Sequence, residues 1–210
     1  MASQRPLILS LLFAATLFHL RLVPAAADAN ATATANATAN CTEFIRSSCL
    51  ITLYPDVCYT SLSRYANAIQ QDPASLTRVA ITISLANARR MAGYVSNLSH
   101  AGDYGADRRA ASALHDCFEN FDDAVDEIRG SLKQMRQIND VDAPSFRFQM
   151  SNVQTWMSAA LTDQETCTDG FGDVADGPMK ADVCNKAEKV KKHTSNALAL
   201  VNSFVEKRIP

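Results

Sequence analysis

No Cys-x-x-Cys pair, Gly-x-Ser-x-Gly turn, His-Glu-x-x-His run or P-loop occurs in the 210 residues. Their absence removes the zinc knuckle, the thioredoxin-type redox site, the hydrolase nucleophile elbow, the zinc protease and the phosphate cradle. Strand-like alternation of apolar and polar residues is also missing, which argues against a sheet. Basic residues are not in excess, so nucleic acid, whose binding depends on phosphate neutralisation, is not an expected partner. After the first 27 residues no apolar run is long enough to span a bilayer, which takes about 20 residues.

What is present begins with a processing signal. Arg5 precedes the apolar run 7–20, and Arg21 ends that run too early for a membrane anchor. Small residues follow in VPAAADANA. Residues 1–27 therefore read as a secretory signal peptide, cleaved after Ala27. Its removal leaves 183 residues with 18 basic and 22 acidic side chains. That length suits one domain with a proper core, and the mild acidity suits a cationic partner surface. Residues 28–40 are almost entirely Ala, Thr and Asn and are expected to form a disordered leader before a domain at 41–210. Asn30, Asn36, Asn40 and Asn97 stand in glycosylation sequons.

The domain reads as all-α. Residues 41–70 are expected to form a helical hairpin broken at Tyr54-Pro55-Asp56, with Cys58, Leu62, Tyr65 and Ile69 on one face. Asp72 and Pro73 make a helix start signal. Four long helices should follow within 72–208, over about 73–99, 106–137 and 146–166 and then through the last stretch before residue 208. Their apolar stripes recur in steps of 4 and 3: Ile81, Leu85, Ala88, Ala92, Val95; then Leu114, Cys117, Phe121, Ala124, Ile128; then Val183, Ala187, Val190, Thr194, Ala197, Val201, Phe204. Short connections between such helices predict an up-down-up-down four-helix bundle. Trp156, Met157 and Phe148 are expected in the core.

Six cysteines follow the signal: Cys41, Cys49, Cys58, Cys117, Cys167 and Cys184. An even number in an exported chain argues for disulfides, but spacing cannot choose among fifteen connectivities. His115 and Glu119 share a helix face at i, i+4, but no third ligand is suggested, so no metal or cofactor is expected. Glu119, Asp122, Asp123, Asp126 and Glu127 place like charges one helical turn apart. Read as exposed carboxylates on one helix, they lack the burial that separates two pKa values into an acid and a base. A solvated face and a docking surface for a basic partner are the two readings. Lys186, Lys189, Lys191 and Lys192 read as a solvated face.

Four segments in this order, FIRSSCLITLYPDVCYTSLSRYA (44–66), ALHDCFENFDDAVDEIRGS (113–131), VQTWMSAALTDQETCTDGF (153–171) and TSNALALVNSF (194–204), resemble the plant invertase and pectin methylesterase inhibitors. The resemblance covers about residues 42–207 and implies a helical hairpin on a four-helix bundle, stapled by Cys49–Cys58 and Cys117–Cys167. Cys184 resembles a cysteine that the family often leaves unpaired and Cys41 is outside its pattern, so Cys41–Cys184 is an expectation from the even count alone. The last two segments lean toward the pectin methylesterase branch, and the short Pro-Lys-Phe segment of the invertase branch is absent. The resemblance then implies a secreted, non-enzymatic inhibitor of the apoplast and cell wall. It would be monomeric when free, acting in trans, and would cover the esterase's substrate cleft in a one-to-one complex that limits pectin de-esterification. Glu119, Asp123 and Asp126, with Thr166 and Asp169 flanking Cys167, are the expected contact residues. An inhibitor of cell-wall or vacuolar invertase is the alternative, and a secreted lipid or small-ligand carrier is the alternative of another class.

Overall fold

The computed structural model describes residues 26–101, 107–138 and 142–208, with side chains described from residue 38 onward except Ala101. The expected signal peptide, residues 1–27, lies outside this set apart from Ala26 and Ala27. Contacts divide the chain at Ala37, and the bundle and its hairpin belong to the unit that starts at Thr38.

Helix α1 runs Ala26–Cys49. Its backbone is helical through 28–40, where a disordered leader is expected; alanine at every second position of that run, the best helix former, supplies the propensity. Helix α2, Pro55–Leu62, starts on Pro55 itself, because the first helical position needs no amide donor. A 3₁₀ turn, Ser63–Tyr65, and the short α3, Ala66–Ile69, complete the hairpin. The 3₁₀ turn breaks the expected apolar face: Cys58, Leu62 and Ile69 are buried, but Tyr65 turns outward and is 41% exposed. The Cys49–Cys58 disulfide closes the hairpin. Gln70 and Gln71 then reverse the chain in the left-handed region, at φ 49° and 60°.

The bundle is α4, Pro73–Ala101; α5, Arg108–Met135; α6, Ala143–Asp169; and α7, Pro178–Arg208. Each pair of successive helices packs together and α7 returns against α4, so the four close a ring. Aspartates start three of them. Asp72 accepts from the amides of Ala74 and Ser75, Asp107 from Arg109 and Ala110, and Asp142 from Ser145. The Asp142 cap moves the start of α6 three residues ahead of the expected Phe146, with Pro144 tolerated in the first turn. The stripes predicted on α4, α5 and α7 are buried at every named position. Phe146 of α6 meets Phe204 of α7 edge to face, with ring centroids 5.9 Å apart. Phe148, expected inside, is 68% exposed, since it lies two residues from the buried Phe146 and so on the far side of α6.

Candidate functional site

The Cys117–Cys167 disulfide draws the α5 and α6 backbones to a Cα separation of 4.1 Å. Antiparallel counting from this staple lays the acidic turns of α5 beside the last turns of α6. Glu119, Asp123 and Asp126 are exposed on α5; Thr166 and Asp169 are exposed on either side of Cys167. The five expected contact residues thus occupy the two helices that the staple joins.

Their local bonds leave much of this face open to a partner. His115 approaches Glu119 at 3.7 Å, with both side chains well exposed. Asp126 pairs with Arg129 one turn on. The Thr166 hydroxyl donates to the Thr162 carbonyl at 2.9 Å, so its free capacity is as an acceptor. Asp169 closes a last helical turn that holds no basic residue. A carboxylate there opposes the negative end of the helix dipole.

Two residues of this face escape a reading of one helix at a time. Glu127 is half-buried rather than exposed, and it shares a hydrogen bond with Asp163 of α6. Burial, the Asp163 hydrogen bond and charge, and the Asp123 charge push the Glu127 carboxyl up to about 8. Burial, with Asp123 adding to it, also raises Asp163, while the hydrogen bond from Glu127 opposes the rise. The acidic run is thus corrected from an exposed set: Glu127 is half-buried against a carboxyl on the next helix, and burial with that neighbour raises it. The signal for Asp163 was its place one turn before Cys167.

Close by, Gly130 lets the Trp156 indole lie against α5. A Cβ at position 130 would stand 3.1 Å from the ring.

The expected Cys41–Cys184 bridge is not made; both residues are free thiols. Phe44 and Ser48 of α1 line a groove with Leu200, Ser203 and Phe204 of α7. Cys184 is sixteen residues up that helix from Leu200, about 24 Å at 1.5 Å per residue, far beyond disulfide reach. The lysines of α7 are not simply solvated either: Lys191 lies between Glu165 and Glu188, and Lys192 sits over the Tyr54 ring. Asn40 and Asn97 are exposed, whereas the side chains of Asn30 and Asn36 lie outside the described set. Among the described residues no group of three His, Cys, Asp or Glu side chains is arranged to hold a metal, and no helix is long and apolar enough to cross a membrane.

The family model described as "Plant invertase/pectin methylesterase inhibitor" matches residues 43–200. A 21 kDa protein of Daucus carota is 42% identical, covering 79% of this chain and 85% of the relative. Pectinesterase inhibitor 11 of Arabidopsis thaliana is 37% identical, covering 91% of this chain and 95% of the relative. The crystal structure of mutant form A of a pectin methylesterase inhibitor from Arabidopsis superposes with a TM-score of 0.59 at 19% identity, over 73% of this chain and 92% of that one. At that identity it speaks to the fold.

Proposed function

The chain belongs to the plant invertase/pectin methylesterase inhibitor family, and from that premise we propose that it is a secreted inhibitor of pectin methylesterase rather than an enzyme. The observation that carries the reading is the stapled α5–α6 face. A disulfide ties the two helices together, the half-buried Glu127 and Asp163 meet between them, and Glu119, Asp123, Asp126, Thr166 and Asp169 project from them. Preorganised side chains lose little entropy on binding, so such a face spends less of its contact energy on ordering. Its negative charge favours a cationic rim on the esterase. Asp169 supports the same reading, because its place at a helix C-terminus costs stability without helping the fold.

The mechanism is occlusion. The α5–α6 face covers the substrate cleft in a one-to-one complex in the apoplast, and pectin cannot enter.

Adding purified protein to a pectin methylesterase and, separately, to an acid invertase tests this. Esterase activity falls and saturates at one inhibitor per enzyme, while invertase activity is unchanged. Loss of invertase activity with the esterase unaffected overturns the reading in favour of the other branch.

A further inference from the structure

On the opposite edge of the ring, a cleft of about 340 Å³ lies between the hairpin, α4 and α7. Such a volume falls within the range of small-molecule sites. Arg64 and Tyr65 of the 3₁₀ turn, Arg90 of α4 and His193 of α7 line it, and no acidic side chain does. Neither arginine makes a salt bridge among the described residues. Burial, then Arg90 and Arg64, hold the His193 imidazole below its ordinary value. Asn87 fixes one of the cations: its Nδ2 donates to the Ile83 carbonyl at 2.8 Å and its Oδ1 accepts from Arg90 at 2.6 Å.

The hydroxyls narrow the ligand further. Ser61 donates its proton to the Cys58 carbonyl at 3.0 Å, and Thr82 to the Arg78 carbonyl at 2.7 Å. With those protons committed, both oxygens offer the cleft only lone pairs. A matching ligand brings a carboxylate for the guanidinium groups and hydroxyl donors for these oxygens. Inorganic phosphate near neutral pH keeps a hydroxyl donor but has no carbon face. Val79, Ile83 and the Tyr65 ring supply an apolar wall for the carbon face of a sugar.

We propose that the cleft bounded by Arg64, Arg90, Ser61 and Thr82 binds a sugar acid, a uronate of one or two residues. Hydrolysis of pectin methyl esters frees such carboxylates, and that link, though not the ligand class, rests on the inhibitor reading above. The test contains no esterase, so either idea can fail without the other. Galacturonate, galactose and inorganic phosphate are titrated into the purified protein by calorimetry, with the histidine resonances followed by NMR.

Galacturonate is expected to bind saturably and to raise the His193 pKa; galactose and phosphate bind much more weakly. Arg64→Ala and Arg90→Ala, both at exposed positions, are each expected to weaken binding about tenfold. Thr82→Val, which keeps the shape and removes the acceptor, also weakens it. Equal binding of galactose or phosphate, absence of saturation, or arginine variants that bind like the parent, with melting curves unchanged, would each overturn the proposal.

Discussion

Asn196, buried on α7, clamps the backbone of Tyr54 from both sides: its Oδ1 accepts from the Tyr54 amide at 3.1 Å and its Nδ2 donates to the Tyr54 carbonyl at 2.9 Å. This amide fastens the turn between α1 and α2 to a helix 142 residues away in sequence. Asn196→Leu leaves the Tyr54 amide without that partner, at a cost of about 1–3 kcal/mol, while the Tyr54 carbonyl keeps the Cys58 N–H at 3.0 Å. The melting temperature falls, and hydrogen exchange shows hairpin amides opening before those of α4–α7. Unaltered hairpin protection in the variant would rule out the clamp.

The Glu127–Asp163 pair makes stability depend on pH. The Glu127 carboxyl is pushed from its ordinary 4.5 up to about 8, and Asp163 is raised too, so the folded chain holds protons that the unfolded chain releases. Stability from this pair is fully present below about pH 4.5 and is lost as the pH rises through about 8. Glu127→Gln keeps a donor for Asp163 without a titrating carboxyl. It is expected to melt with the parent at pH 4.5 and about 2–4 °C higher at pH 8. Melting curves for both proteins across that window, corrected for effects common to them, check the sign.

These two relationships differ in how far the sequence discloses them. The period of the stripes gives the helices, because burial repeats every 3 or 4 residues whatever the partner. Asp72, with Pro73, announces a helix start through local chemistry. Asn196 carries no such mark: it stands beside Ala197 of the buried stripe, and nothing local tells that its amide reaches residue 54. Glu127 looks like its exposed neighbours until the staple sets α6 against α5. Tyr65 fails for a related reason, since a single 3₁₀ turn rotates a side chain off its expected face, and Phe148 fails because it stands two residues from the buried Phe146.

The two disulfides should contribute unequally. Loop-closure entropy assigns about 4 kcal/mol to the 50-residue separation of Cys117–Cys167 and about 2.6 kcal/mol to the 9-residue separation of Cys49–Cys58. The Cys117→Ala/Cys167→Ala double variant is therefore expected to lose more stability in denaturant unfolding than Cys49→Ala/Cys58→Ala. Alkylation and mass spectrometry should find two free thiols per unfolded chain, at Cys41 and Cys184. In the folded protein both react slowly, because Cys41 is buried and burial pushes the Cys184 thiol up.

Trp156 is the sole tryptophan and rests on Gly130, so its fluorescence reports the α5–α6 seam. Gly130→Val replaces a hydrogen with bulk 3.1 Å from the ring. The indole is displaced into water, its emission shifts to the red, and stability falls by about 1–3 kcal/mol. Emission unchanged from the parent would show that the ring does not depend on this glycine.

The contact face makes the sharpest functional claim. Asp126 and Thr166 are exposed, and Thr166 bonds only within its own helix, so neither Asp126→Lys nor Thr166→Arg disturbs the core. Asp126→Lys forfeits a surface pair with Arg129, worth a few tenths of a kcal/mol to about 1. Inhibition should respond far more. Reversing one charge opposite a cationic rim slows association and reduces its salt sensitivity, and a bulky cation at Thr166 adds a steric clash beside the staple. Each variant is expected to raise the inhibition constant for pectin methylesterase about tenfold or more while its melting temperature stays within about 2 °C of the parent. Lys189→Ala, exposed on α7 and outside both the contact face and the cleft, serves as the control and leaves inhibition unchanged. Full inhibition by both face variants, with the control equally inert, would move the contact surface away from α5 and α6.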